Sequence, residues 1–170
     1  MKPGNILLIA CFLIGISVLH AQTNTYILLR HAEKDTSKTG SAMMKADPPL
    51  SEAGNQRAQH LVQVLESYRP DLIYSTNYIR TKSTIAPLAK KFGKEIELYD
   101  PAKQGAFAEK LLSENGKTIV IAGHSNTIPA LANLLIRENK YASLDESVYN
   151  QLWVIQIRGG KIVSDQVITY

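Results

Sequence analysis

The apolar residues of this chain fall into six short runs of strand type, and longer amphipathic segments separate the first four. The runs lie at 26–29, 72–74, 96–98, 118–122, 152–157 and 162–168. Their length and their content of β-branched and aromatic residues are typical of buried strands. Strands that alternate with helices predict a parallel sheet with helices on both faces. We therefore predict a three-layer α/β/α sandwich with a mainly parallel central sheet.

Helical spacing of the apolar residues predicts four helices. They cover 51–66, 81–92, 104–112 and 127–137. Ser51 is a good N-cap for the first helix, and Gly93 is expected to end the second. Pro87 should kink or interrupt the second helix, because proline has no backbone N–H to donate. The sequence RGGK at 158–161 predicts a turn between the last two strands, so a C-terminal hairpin should lie at one edge of the sheet.

Residues 1–21 have the pattern of a secretory signal peptide. Lys2 is followed by an uncharged, mainly apolar run over 6–19 and then by Ala21, a small residue at a suitable cleavage site. The run is shorter than the roughly 20 residues that a membrane-spanning helix needs. We expect cleavage after Ala21, export to the periplasm or the cell exterior, and no stable membrane insertion afterwards. Residues 22–170 then form a single domain.

A rival interpretation of the N-terminus is a lipoprotein signal that ends at Cys11. It would leave only about five apolar residues before the cleavage site, so we favour the secretory signal. Cleavage after Ala21 would remove Cys11, the only cysteine, and would exclude disulfides and thiol chemistry. The formal net charge of +4 is a mild excess that does not indicate a nucleic-acid partner.

Basic side chains follow three of the predicted parallel strands. Arg30 and His31 end the first strand, and His124 follows the fourth strand. Arg80 lies near the start of the helix that follows the second strand. Because the carboxyl ends of parallel strands face one crevice, we expect these side chains to converge. Two guanidinium groups beside two imidazoles suit a dianionic phosphate, and the nearby helix N-termini would add partial positive charge.

These residues and their surroundings resemble the histidine phosphatase superfamily, also called the phosphoglycerate mutase-like fold, in a compact form of its branch 1 type. Arg30-His31 resembles the catalytic Arg-His motif, and LSEAGNQRA at 50–58 resembles the family's LTxxGxxQA helix start. STNYIRTKST at 75–84 is similar to the segment of the second phosphate arginine, and IVIAGHSNT at 119–127 to that of the second histidine. The four motifs occur in order, and the resemblance extends over nearly all of residues 22–170.

The resemblance implies a phosphatase that works through a phosphohistidine. His31 would attack phosphorus through one ring nitrogen while a backbone carbonyl holds the other, and water would then hydrolyse the intermediate. Arg30, Arg80 and a protonated His124 would stabilise charge on the transferring group. The expected partner is a small phosphorylated substrate. We expect no cofactor and no metal, because the two arginines would repel a cation.

The proton donor to the leaving group is left open by the sequence. Ser125 stands where the acid phosphatase branch has an aspartate, directly after the second histidine. Asp100, just after the third strand, is the preferred candidate, and Glu33 is the alternative, either as an acid or as a group that orients Arg30 or Arg80. Without an acid, substrates with good leaving groups such as phosphoramidates or aryl phosphates would be favoured.

Further side chains near the predicted site have subsidiary roles. Asn126 and Thr84 are expected to contact substrate. Lys34, Lys38 and Lys45 are expected to form a solvated face from which one lysine could reach substrate, and the loop 35–49 is long enough to be functional. Tyr78 is expected to pack in the core. Substrate specificity would come from loops such as 35–49, 100–105 and 139–149.

Three functional classes are compatible with these features. The first is an exported phosphohydrolase, acting on phosphomonoesters or phosphoramidates through His31. The second is a phosphoglycerate mutase-type phosphotransferase, although the short segment between Arg80 and His124 leaves little room for the insertions that mutases have over the site. The third is a module that binds a phosphorylated ligand without turnover.

Overall fold

The computed structural model describes residues 22–37 and 46–170. The predicted signal peptide, Cys11, and both lysines of the loop 35–49, Lys38 and Lys45, lie outside these ranges. Within them, no helix combines the length and the apolar character needed to cross a membrane.

Six strands form one sheet in the order β3-β2-β4-β1-β5-β6. They are β1 (Thr23–Arg30), β2 (Leu72–Ser75), β3 (Ile96–Leu98), β4 (Thr118–Gly123), β5 (Gln151–Arg158) and β6 (Lys161–Thr169). The first four strands are parallel to their neighbours, β5 runs antiparallel to β1, and β6 pairs with β5 as an antiparallel hairpin. The predicted parallel sheet with a C-terminal hairpin at one edge is confirmed.

The described residues form α1 (Glu52–Val64), α2 (Ile79–Phe92), α3 (Gln104–Leu112), α4 (Thr127–Ile136) and a short 3-10 helix at Glu66–Tyr68. The Ser51 hydroxyl caps α1 by accepting from the N–H of Gly54. Gly93 ends α2 in the left-handed conformation, at φ 61°. Pro87 does not interrupt α2, since Ile85 and Leu88 on either side of it are fully buried and hold the helix on the sheet.

Helix pairs cover both faces of the sheet. Along β1, Ile27 and Leu29 belong to the cluster that contains Leu61 of α1 and Leu88 of α2. Tyr26 and Leu28 point to the opposite face, where the cluster contains residues of α3 and α4. This alternation follows from the two-residue period of a strand. It confirms the three-layer architecture.

The register of the sheet brings the ends of three strands to one level. Arg30 of β1 pairs with Gly123 of β4, and Ser75 of β2 pairs with Ala122. The backbone N–H of His31 donates to the carbonyl of Gly123 at 2.9 Å. The loops that follow β1, β2 and β4 therefore start side by side.

Candidate active site

A cavity of about 490 Å³ opens at the carboxyl ends of β1, β2 and β4. Its lining residues are Arg30, His31, Lys34, Tyr78, Arg80, Pro101, Ala102, His124, Ser125, Asn126, Thr127 and Glu146. The four basic residues singled out in the sequence thus meet in one cavity, and Asn126 lies at its wall as expected.

His31 lies on the floor of the cavity with a fixed ring. The residue is 4% exposed, and its Nδ1 atom is 2.8 Å from the carbonyl oxygen of Ala32. Because a carbonyl oxygen only accepts hydrogen bonds, Nδ1 carries the proton and Nε2 keeps its lone pair. Nε2 is therefore the nitrogen that can act as a nucleophile.

The two histidines of the site are close together and both are neutral at pH 7. The centroids of the His31 and His124 rings are 5.5 Å apart. Burial, and after it the charges of Arg80 and Arg30, lower the pKa of each histidine to about 4. This is the nucleophilic form of His31. The expected protonated form of His124 is not present in the protein alone, because two arginines oppose its charge; a phosphate dianion between them would favour it.

Arg30 connects the site to the loop that precedes β5. Its Nη1 donates to the carbonyls of Asp145, Glu146 and Val148 at 2.9, 3.2 and 2.9 Å, and its Nη2 donates to the Glu146 carboxylate at 2.8 Å. The ring of Tyr149 packs on the guanidinium, 4.1 Å from its carbon. The sequence predicts a phosphate ligand here, and the structure adds that this arginine also holds the loop in place.

Arg80 lies in the first turn of α2 and is held by an acid and an aromatic ring. Its Nη1 is 3.1 Å from the Asp47 carboxylate, which also accepts from the backbone N–H of Ile79. The Tyr78 ring lies 4.5 Å from the guanidinium carbon. Tyr78 is 37% exposed and lines the cavity, so the prediction that it packs in the core is wrong.

Both arginines keep one buried donor without a protein partner. In the part of the chain that the structure describes, the Nε atoms of Arg30 and Arg80 are buried and make no hydrogen bond. An unpaired buried donor costs about 1–3 kcal/mol, and each such group in a native structure needs an explanation. Two of them on guanidinium groups in one cavity indicate a site for an anion with several acceptor oxygens.

Neither of the predicted acids reaches the cavity. Asp100 is exposed and accepts from the N–H of Ala102 at 2.9 Å, and it is not among the lining residues. Glu33 accepts from Nε and Nη2 of Arg57 at 2.6–3.0 Å. Burial raises the pKa of the Glu33 carboxyl, but the hydrogen bonds and the charge of Arg57 contribute to a net lowering of that pKa. Glu33 therefore joins the loop after β1 to α1, and the prediction that it orients Arg30 or Arg80 is wrong.

Thr84 is buried beside the cavity and is not one of its lining residues. Its side chain is fully buried; the hydroxyl accepts from the N–H of Ala32 at 2.9 Å and donates to the carbonyl of Arg80 at 2.7 Å. Thr84 therefore fixes the backbone beside the nucleophile and the second arginine. The prediction that it contacts substrate is corrected.

Glu146 is the residue of the cavity that sequence reasoning missed. Its Oε1 accepts from the Ser125 hydroxyl at 2.8 Å, and its Oε2 lies 2.8 Å from Arg30 Nη2 and 3.8 Å from Lys34 Nζ. The Ser125 hydrogen bond is the main cause that lowers the pKa of the Glu146 carboxyl; desolvation opposes it, and the charges of Arg30 and Lys34 add to the lowering. Lys34 lines the cavity, so it is not simply part of a solvated face.

The described ranges contain no cluster of three or more His, Cys, Asp or Glu side chains arranged to hold a metal ion. The chemistry of the cavity is instead that of two imidazoles and two guanidinium groups.

Comparison with known proteins gives matches in sequence and in fold. The sequence model of the histidine phosphatase superfamily (branch 1) matches residues 26–103. Phosphoserine phosphatase 1 of Hydrogenobacter thermophilus is 37% identical over 70 residues, which are 41% of this chain and 33% of that protein. This chain therefore matches about a third of the length of that relative.

Solved phosphatase structures extend the match to most of the chain. The mycobacterial glucosyl-3-phosphoglycerate phosphatase superposes with a TM-score of 0.66 at 16% identity, over 88% of this chain and 99% of that one. A protein of Nakamurella multipartitia assigned as the phosphohistidine phosphatase SixA gives a TM-score of 0.60 at 22% identity, over 86% and 97%. The sequence model confirms the resemblance to the histidine phosphatase superfamily, branch 1, over residues 26–103, and the solved structures show that the fold is shared over most of the chain.

Proposed function

We propose that this protein is a metal-independent phosphohydrolase that works through a phosphohistidine on Nε2 of His31. The observation that carries the proposal is the state of His31: a neutral ring, with Nδ1 held by the Ala32 carbonyl, faces a cavity where two arginines keep unpartnered Nε donors. The substrate class is a small phosphomonoester or phosphoramidate.

The reaction takes two displacements at phosphorus. In the first, Nε2 of His31 forms a bond to phosphorus, and the bond from phosphorus to the leaving oxygen or nitrogen breaks with its electron pair. In the second, water attacks the phosphohistidine and the P–N bond breaks, which returns the pair to Nε2. Arg30, Arg80 and His124 stabilise the charge on the equatorial oxygens in both steps.

Two observations favour a phosphatase over the alternatives. The relatives and solved neighbours described above are phosphatases, which supports hydrolysis over phosphoryl transfer between carbons of one substrate. The nucleophile, both arginines and the second histidine are all present around one cavity, and a module that only binds its ligand has no need of a nucleophile with a fixed tautomer.

The test is hydrolysis of p-nitrophenyl phosphate in the presence of EDTA by the wild type, by His31→Ala and by His60→Ala. His60 is exposed on α1 and serves as the matched control. We expect turnover by the wild type and by His60→Ala, and loss of at least about 10³-fold in His31→Ala. Turnover by His31→Ala at the wild-type rate would contradict a mechanism through a phosphohistidine on His31. Vanadate binding without turnover by the wild type would favour the binding module.

We propose in addition that the protein is exported, on the pattern of residues 1–21. Intact mass spectrometry of the protein recovered from the periplasm or the medium should give a chain that begins at Gln22. Recovery of the full-length chain only from the cytoplasm would contradict export. A chain that begins at a lipid-modified Cys11 would favour the lipoprotein signal over the secretory signal.

A further inference from the structure

We propose that Glu146 is the proton-transfer residue of this site, which protonates the departing atom and then accepts a proton from the attacking water. The inference rests on the proposed phosphohydrolase function. Its basis is the position of Glu146 in the cavity, the contacts that fix its carboxylate, and the engagement of the other nearby acids elsewhere.

Glu146 lies at the exposed end of the cavity, where we expect the leaving group to depart. Among the lining residues in the described part of the chain it is the one acid. His31 is 4% exposed at the floor of the cavity, whereas the Glu146 side chain is 67% exposed at the mouth. In an in-line displacement the leaving group departs opposite the attacking nitrogen. A substrate attacked by His31 from the floor would therefore release its leaving group toward the mouth and Glu146.

The Glu146 carboxylate is held relative to the nucleophile. Ser125 donates to one carboxylate oxygen, and Arg30, the residue before His31, donates to the other, both at 2.8 Å. Arg30 also binds the backbone carbonyl of Glu146. Ser125 directly follows His124, where the sequence lacks an acid. The structure brings a carboxylate to this position from a residue 21 places further along the chain.

The other acids near the site are committed to structural bonds. Both oxygens of Asp47 accept from the backbone of Ile79, and one of them also binds Arg80. Glu33 is bound to Arg57, and Asp100 to the N–H of Ala102. Glu146 is the acid whose carboxylate is both fixed and open to the cavity.

The charges around Glu146 explain how it can serve in both steps. Arg30 and Lys34 face it from the loop after β1, Ser125 from the loop after β4, and His31 and His124 across the cavity are neutral. A phosphoryl dianion on Arg30 places negative charge beside the carboxylate, which favours its protonated form. The proton arrives with a substrate bound as the monoanion, or from solvent through the open mouth.

Glu146 donates one proton and accepts one proton in each turnover. As Nε2 of His31 bonds to phosphorus and the bond to the leaving atom breaks, that atom takes the proton from Glu146. As water bonds to phosphorus and the P–N bond breaks, the Glu146 carboxylate takes a proton from the water. Glu146 thus holds a proton again when phosphate forms, and it returns to the carboxylate as this proton passes to the departing phosphate or to solvent.

The test compares Glu146→Gln with the wild type on p-nitrophenyl phosphate, phenyl phosphate and an alkyl phosphate. Alkoxide is a poor leaving group that needs a proton, so kcat/KM on the alkyl phosphate should fall by about 10²–10⁴-fold. Nitrophenolate leaves without protonation, so kcat/KM on p-nitrophenyl phosphate should change by less than roughly threefold. A burst of nitrophenolate should appear as well, because hydrolysis of the phosphohistidine becomes slower.

Two further variants serve as controls for Glu146→Gln. Glu138→Gln removes an exposed acid outside the cavity and should leave all three substrates unchanged. Glu146→Asp keeps a carboxylic acid and should retain more activity on the alkyl phosphate than Glu146→Gln does. Circular dichroism spectra that match the wild type establish that each variant is folded.

The contrary outcomes separate the two proposals. A uniform loss on all three substrates in Glu146→Gln would mean that Glu146 only holds the loop on Arg30, and a uniform gain would mean that it competes with phosphate; either overturns this inference alone. A wild type that releases no phosphate, or a His31→Ala variant that still does, overturns the proposed function together with it.

Discussion

The Nδ1 atom of His31 lies 2.8 Å from the carbonyl oxygen of Ala32, so the next residue in the chain sets the tautomer of the nucleophile. The phosphoryl group should therefore be found on Nε2 and not on Nδ1. Phosphorus and nitrogen NMR of the protein, quenched in alkali during turnover of p-nitrophenyl phosphate, distinguishes the two isomers. A phosphoryl group on Nδ1 would contradict the assignment, and His31→Ala should show no phosphohistidine signal.

The two arginines should differ in their effect on stability, although we propose the same role in phosphate binding for both. Arg30→Ala leaves three loop carbonyls and the Glu146 carboxylate without their donor, and we expect a loss of about 3–5 kcal/mol in the free energy of unfolding. Among the described residues Arg80 makes one ion pair, with Asp47, so Arg80→Ala should cost about 1 kcal/mol. Urea unfolding measures both, and vanadate titration should show loss of binding in each. Equal unfolding energies would be inconsistent with the loop contacts of Arg30.

Stability should fall in mild acid because both site histidines are kept neutral. Their pKa values in the folded protein are lowered to about 4 from 6.5, mainly by burial, so the unfolded chain binds more protons between these values. The stabilisation is complete above pH 6.5 and is lost as the pH falls toward 4, by about 3 kcal/mol for each histidine at most. Urea unfolding between pH 4 and pH 7.5 should show this slope. His31→Asn should flatten it.

Thr84 should be sensitive to loss of its hydroxyl and not of its methyl group. Thr84→Val keeps the volume but leaves the buried N–H of Ala32 without an acceptor, which costs about 1–3 kcal/mol. Because Ala32 also holds His31, kcat should fall as well. Thr84→Ser should restore both values. Turnover and urea unfolding of the two variants provide the measurement, and wild-type behaviour of Thr84→Val would rule out the positioning role.

Glu33 should matter for stability and not for proton transfer. Its carboxylate is bound to Arg57 through two nitrogens, and both side chains are about one quarter exposed. A double-mutant cycle of Glu33→Gln and Arg57→Gln should give a coupling energy of about 1–2 kcal/mol. The leaving-group dependence of kcat/KM should stay that of the wild type in Glu33→Gln. A selective loss on alkyl phosphates in this variant would return Glu33 to the role of acid.

The fold and the basic half of the site follow from local features of the sequence. The apolar runs are confined to strand length and the segments between them have helical spacing, which determines a sheet covered on both faces. Arg30 and His31 end one such run and His124 follows another. Their convergence is a consequence of parallel strands, and so it can be predicted before the loops are known.

The acidic half of the site depends on contacts that leave no local pattern. Glu146 comes near Ser125 because Arg30, 116 residues away in the chain, binds the backbone carbonyls around it. Glu33 binds Arg57 and not a residue of the cavity. The Thr84 hydroxyl accepts from the N–H of Ala32 and does not line the cavity. The position of each of these side chains depends on hydrogen bonds between distant segments of the chain. The spacing of apolar residues in the sequence does not predict such hydrogen bonds.

The pairing of Arg30 with Gly123 has a consequence for the dynamics of the site. The amide hydrogen of His31 extends the ladder between two largely buried strands, because it is donated to the Gly123 carbonyl. Its exchange with solvent deuterium requires β1 to separate from β4, an opening whose free energy approaches that of global unfolding. The amides of the loop around Glu146, which is exposed, can exchange through local fluctuations. The nucleophile thus belongs to the slowest-exchanging unit of the molecule, while the mouth of its cavity is free to open on a much shorter timescale.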